Sequence, residues 1–458
     1  MIGGIAIWHL YKEKETVTAT TDNSHTEVKY VFYFIADGMG QGCIEVAQNY
    51  YCEVLKREDS LLMLQFPHKA MVTTNSATDS ITDSAAAGTA LATGQKANRD
   101  AVGVSHDNQK PMSIAQSLKN AGWGVGIVTS VCPDDATPAA FYAHQKSRFN
   151  YFEIGKELAA SQFDFIAGSK LRALEEQRTA TKLLTELREN NIEVVYSFDA
   201  LKKSNASKIL LLNKNSDKQN IGFTIDSIDN ALNLPQITQA CIDHLNKVSP
   251  EKFFMMVEGG NIDYAGHIND AGAMVKEVIN FNQAIKVAYD FYLAHPDETL
   301  IVVTADHDTG GLRRNKEGNI ANIDFQRFSK ETMGDSCKMI LRKSTAYEWT
   351  DMKNLLSEKL GFWNNIPINE SQEKCLYDKF YDIFKLRKVS VRKSRYNTVD
   401  DFTAETFDLF NSMAGFSWAS DEHIAGKVPV YAIGVGADKF EKIHDNTHIY
   451  QELNIITR

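Results

Sequence analysis

The sequence predicts an α/β fold with a central, mostly parallel sheet and helices on both faces. Three observations predict it. Five apolar runs are nearly continuous rather than alternating, as strands covered on both faces require. Helical patterns lie between them. The first four runs each end in Asp, Glu, Thr or His, at the edge where open α/β sheets bind ligands.

The first strand is Tyr30–Ala36, which runs into Asp37-Gly-Met-Gly40. Thr82-Asp83-Ser84 then precedes a small-residue run that favours helix; any of the three can cap its start, and Gly94 is its stop. A helical stretch over Pro111–Ala121 leads to the second strand, Gly124–Val131, and on to Asp134-Asp135-Ala-Thr137-Pro138. The third strand, Lys252–Val257, ends in Glu258-Gly-Gly260. Ala271–Tyr292 has apolar residues at helical spacing and precedes the fourth strand, Thr299–Ala305, which ends in Asp306-His307. The fifth is Val428–Ile433. Residues 160–250 hold helix-like and strand-like pieces with no clear chemistry. Residues 313–420 are too long for a structureless loop and are expected to form an inserted subdomain.

A chain of 458 residues holds one large domain with insertions, or two domains. Its net charge of -10 argues against general nucleic-acid binding, which uses a basic face. An acidic protein that handles an anion must reverse its field locally, and bound metal ions do that. The six cysteines lack CxxC spacing and are expected to be mostly free or buried thiols. Ile2–Tyr11 is apolar but too short to span a bilayer. Residues 1–27 read either as a leader or as a truncated signal or anchor, and no other stretch is a membrane-span candidate.

Several side chains suit phosphoryl chemistry. Ser84, at a helix N-terminus, would meet a phosphoryl group with free N–H groups behind it; the bland reading is a plain cap. Asp263 and His267, four apart, share one face of a helical turn and suit zinc. Asp306 and His307 can both reach one ion at a strand-to-loop turn, although a polar turn explains them as well, and Asp37 has the same alternative. His423 would complete the zinc set of Asp263 and His267, which lacks a third protein ligand. Thr137 offers a hydroxyl to a hard ion such as magnesium. Arg148 can grip two phosphoryl oxygens as a fork; read alone, it is a surface arginine.

Taken together, Asp37-Gly-Met-Gly40, Thr82-Asp83-Ser84-Ala-Ala, Asp135-Ala-Thr137-Pro, Ser147-Arg148, Val257-Glu258-Gly with Asp263 and His267, Thr304-Ala-Asp306-His307, and His423 resemble the alkaline phosphatase family, in residues and in order. The resemblance implies a three-layer α/β/α catalytic domain over 28–458, with 313–420 as a crown-like insert. It implies two zinc ions and one magnesium. Asp263, His267 and His423 would hold one zinc, and Asp37, Asp306 and His307 the other. Asp37, Thr137 and Glu258 would hold the magnesium, with Asp135 supporting its water shell. Ser84 would be the nucleophile of a phosphoserine mechanism and Arg148 the phosphoryl clamp. The implied substrates are phosphate monoesters, the implied location periplasmic or otherwise extracytoplasmic, and the implied assembly a homodimer. Two positions depart from the pattern: Tyr264, where relatives often carry Lys or His, and Ile424-Ala425, where many have Thr-Gly. Two other readings compete. A phosphodiesterase of the same superfamily would use Thr82 as nucleophile, and a non-catalytic protein would use the zinc structurally.

Overall fold

Apolar β-branched and aromatic residues in unbroken runs build the centre of the sheet. The computed structural model describes residues 27–213, 218–227, 231–315, 317–343, 346–388, 390–395 and 397–458. The leader or signal expected over 1–27 lies, apart from Glu27, outside the described residues. The strands of the main sheet are β1 (Tyr30–Ala36), β2 (His68–Thr73), β3 (Gly124–Thr129), β4 (Phe165–Gly168), β5 (Ile192–Val195), β6 (Lys208–Leu212), β7 (Phe253–Glu258), β8 (Thr299–Ala305) and β9 (Lys427–Gly434). Their spatial order is β2-β9-β8-β1-β7-β3-β4-β6-β5. Neighbours from β8 through to β5 pair in parallel.

The fifth expected strand is present but differs in direction. β9 runs antiparallel to both β8 and β2. A strand covered on both faces reads as a continuous apolar run whichever way it points, so the pattern carries no direction. The strand-like pieces expected within 160–250 are β4, β5 and β6, whose bounds the sequence does not give, and β2 is not expected at all. β4, β5 and β6 are short, and β2 and β5 include exposed or half-exposed positions that break the apolar run.

Helices cover both faces. The principal ones are α1 (Ser84–Thr93), α2 (Ile114–Asn120), α3 (Leu234–Val248), α4 (Asn261–His267) and α5 (Ala271–Ala294). Along β1, Phe32 and Phe34 pack on Phe291 and Phe281 of α5, while Tyr33 turns to the other face and meets Phe141. This is the period-two alternation of a strand with two cores. The described residues of 313–420 include the α-helices Lys330–Lys343, Trp349–Leu360, Glu370–Phe380 and Asp401–Ala414, and an antiparallel pair of Val391–Lys393 with Thr398–Asp400. All six cysteines are free, and Cys43, Cys132, Cys241 and Cys337 are buried.

Candidate active site

Because β1, β7, β3 and β8 are parallel, their carboxyl ends share one edge, and each brings a polar group there. β1 delivers Asp37, β3 Thr129, β7 Glu258, and β8 Asp306 and His307. α4 follows β7 directly and carries Asp263 and His267 on one turn. His423 is distant in sequence. It arrives through a two-residue strand, His423–Ile424, paired antiparallel with Asp308–Thr309. All the predicted ligands are buried, Asp263, His267 and Asp306 at 0% exposure.

Ser84 is the first residue of α1, and it does not cap the helix. Asp83 does, accepting from the Ala86 amide at 3.1 Å. The Ser84 hydroxyl is thereby released toward the cluster: Oγ lies 3.1 Å from His307 Nε2 and 3.5 Å from Asp37 Oδ1. The Thr82 hydroxyl instead donates to the Asp83 carbonyl. Gly38 turns at φ +74, and a Cβ there would come within 2.9 Å of both Thr309 and Asp263. The turn lets the Gly38 amide donate to Asp306 Oδ1 at 3.0 Å.

Hydrogen bonds set the imidazole tautomers. His267 Nδ1 lies 2.6 Å from the Asp421 carbonyl and His423 Nδ1 2.9 Å from the Thr82 carbonyl. A carbonyl only accepts, so both Nδ1 atoms carry the proton. The two Nε2 atoms face each other across 3.0 Å, with Asp263 Oδ1 at 3.4 and 3.7 Å. His307 Nε2 sits 3.3 Å from Asp37 Oδ1 and 3.2 Å from Asp306 Oδ2. Burial pushes His423 down to about 4 and His307 well below the usual histidine range, with neighbouring imidazoles adding to both effects.

The carboxylates crowd one another. Burial, reinforced by Asp306, Asp263 and Glu258, pushes Asp37 well up. Burial and then Asp263 push Asp306 up to about 7. Burial pushes Glu258 up to about 8, partly offset by the Thr129 and Thr137 hydroxyls. Inward-facing imidazole nitrogens, with His307 and His423 held toward the neutral form, beside mutually repelling carboxylates form a donor set that fits cations. Asp263 Oδ2, buried with no hydrogen-bond partner, fits the same need. The donor atoms of Asp37, Asp306 and His307 lie within 4.8 Å of one another, and so do those of Asp263, His307 and His423.

Arg148 is buried, not a surface arginine. Its Nη2 donates to Asp135 Oδ1 at 2.8 Å, and its Nη1 is 3.6 Å from Asp83 Oδ2. Asp135 also accepts from Tyr264 Oη at 3.0 Å and from Arg172 Nη2 at 3.0 Å. Although burial works the other way, Arg172 and Arg148 hold Asp135 well below the usual carboxylate range. All twelve predicted site residues therefore lie in one connected region. Sequence reasoning missed Arg172 and Thr309, whereas Asp83 is one of the three caps it allowed. Arg172 lies in the stretch judged free of chemistry; the signal for it was its place just past β4, at the same sheet edge as the others.

An α/β/α sheet whose carboxyl edge gathers a buried serine, arginine, carboxylates and imidazoles defines a hydrolase of the phosphoesterase class. The chain belongs to the alkaline phosphatase family, whose model matches residues 28–166 and 169–458. It is similar to alkaline phosphatase 4 of Bacillus subtilis, 31% identical over 386 residues that cover 82% of this chain and 76% of that one. Alkaline phosphatase 3 of the same organism is 28% identical over 437 residues, 92% of this chain and 87% of that one. The crystal structure of a cold-active alkaline phosphatase from Shewanella sp. superposes with a TM-score of 0.79 at 25% identity, covering 93% of this chain and 99% of that one. The enzyme is thus a phosphoric monoester hydrolase. Among the described residues no helix is long and apolar enough to cross a membrane.

Proposed function

We propose that this phosphomonoesterase works through a phosphoserine formed on Ser84, in a site that holds two Zn2+ and one Mg2+. The observation that carries the reading is the Ser84 hydroxyl, 3.1 Å from His307 Nε2 and 3.5 Å from Asp37 Oδ1, amid buried carboxylates. Asp263, His267 and His423 would hold one zinc, and Asp37, Asp306 and His307 the second. Thr137, Glu258 and Asp37 supply oxygens suited to magnesium. When bound, such ions stabilise the serine alkoxide and the departing alkoxide electrostatically, which removes the need for a general base.

The Ser84 oxygen bonds to phosphorus as the bond to the alcohol oxygen breaks. Water then attacks the phosphoserine, releasing inorganic phosphate and restoring the hydroxyl. The N-terminus of α1 favours the anion on Ser84, and Arg148 binds phosphoryl oxygens. Asp135 and Tyr264 orient that arginine and support the magnesium's surroundings. Residues 28–458 form the catalytic domain in this reading, with 313–420 as an insert bordering the site. The family resemblance also supports a homodimer outside the cytoplasm.

The test is acid quenching during turnover of a phosphorus-labelled monoester. Label should remain on the wild-type chain and be absent from Ser84→Ala. Label that survives in Ser84→Ala and disappears in Thr82→Ala would overturn the assignment.

A further inference from the structure

Asp135 stands between two guanidinium groups. Arg148 takes Oδ1 at 2.8 Å, and Arg172 takes Oδ2 at 3.0 Å. Arg172 is held from several sides. Its Nη2 is also 2.7 Å from Gln219 Oε1 and 2.8 Å from Tyr264 Oη, and its Nη1 is 2.7 Å from Tyr151 Oη. Its own amide and that of Ala173 donate to Asp134 at 3.1 and 2.8 Å. Backbone and side chain are both anchored, so the guanidinium is a fixed point rather than a flexible surface charge.

The consequence falls on Arg148. A guanidinium and a carboxylate pair most strongly through two parallel hydrogen bonds. Oδ2 of Asp135 is already committed to Arg172 and to the Tyr264 hydroxyl, so Asp135 offers Arg148 only one oxygen. Without Arg172 only the neutral Tyr264 hydroxyl would hold Oδ2, a weaker bond than a charged fork makes, so Asp135 could turn both oxygens to Arg148 and the fork would close on it. A phosphoryl group would then have to compete with that internal pair for the same fork.

We infer that Arg172 is a positioning residue: by occupying Oδ2 of Asp135 it prevents a two-bond Asp135–Arg148 pair and keeps the Arg148 fork directed to phosphoryl oxygens. The inference rests on the reading of Arg148 as the phosphoryl clamp. It concerns a residue outside every motif that carries the family resemblance.

The experiment measures KM for a nitrophenyl phosphate monoester and the inhibition constant of inorganic phosphate, with the zinc- and magnesium-loaded enzyme. Arg172→Met should raise both about tenfold and change kcat less than about threefold. In an Arg148→Ala background the same substitution should change neither, because Arg172 acts through Arg148. Arg172→Lys keeps the charge with a single point donor and should raise both constants about threefold, an effect again absent without Arg148. The lysine variant decides the matter if the methionine variant does not fold. Equal effects in the two backgrounds, or none in the wild-type background, overturn the inference. If Arg148→Ala itself leaves phosphate inhibition unchanged, the clamp reading fails first and takes this inference with it.

Discussion

Thr309 Oγ1 donates to Asp263 Oδ1 at 2.5 Å while lying 3.2 Å from His307 Nδ1. The hydroxyl proton goes to the carboxylate, so the oxygen accepts from His307 Nδ1–H. One threonine therefore orients a candidate ligand of each proposed zinc and turns His307 Nε2 toward Ser84. Thr309→Val should weaken zinc binding roughly 10–100-fold, as loss of an orienting partner does elsewhere. Chelator competition measures it, and unchanged zinc affinity would remove this role from Thr309.

Chelation should abolish monoesterase activity and lower the thermal unfolding midpoint together. A ligand at one hundred times its Kd stabilises by about 2.7 kcal/mol. Adding zinc and magnesium back should restore both quantities. Full activity after exhaustive chelation would contradict the metal assignment.

Gly38→Ala should damage the site without unfolding the sheet. The added Cβ would meet Thr309 Oγ1 at 2.8 Å and Asp263 Cα at 2.9 Å, at a φ of +74 that side chains rarely adopt. We expect monoesterase kcat/KM to fall by about 100-fold or more. Near-normal kinetics would mean that the turn relaxes without disturbing Asp263.

Glu277 gives a stability prediction away from the ligands. It is buried on α5 and accepts from the Thr224 amide at 2.6 Å. Burial pushes its carboxyl up to about 7. A raised carboxyl binds its proton more tightly in the folded state, so its contribution falls as pH rises from the unfolded value, about 4.3, to about 7. Glu277→Gln keeps an acceptor without the charge. It should stabilise the protein at pH 8 by about 4 kcal/mol and leave it nearly unchanged at pH 4. Thermal unfolding at the two pH values checks this, and an equal shift at both would remove the carboxylate as the cause.

Strongly buried strands were the most legible part of the fold. β1 and β8 fall on their predicted bounds because every one of their residues is buried, which leaves an unbroken apolar signature. β4 and β6 are short, and β5, at the sheet edge, carries the exposed Glu193, so these strands leave little trace. In the site, Asp37, Glu258, Asp306 and His307 were readable because each sits where an apolar run stops. Arg172 and Thr309 were not, since their roles depend on partners such as Asp135 and Asp263, remote in sequence.

The order of apolar runs and the polar residues that end them determined the α/β class and named the residues able to do chemistry. Tertiary structure alone decided the reversed direction of β9, the pairing that brings His423 beside Asp263, and the two arginines that share Asp135. The reason is physical. Burial leaves its mark on each residue along the chain, whereas strand direction and side-chain partnership arise only when distant segments meet.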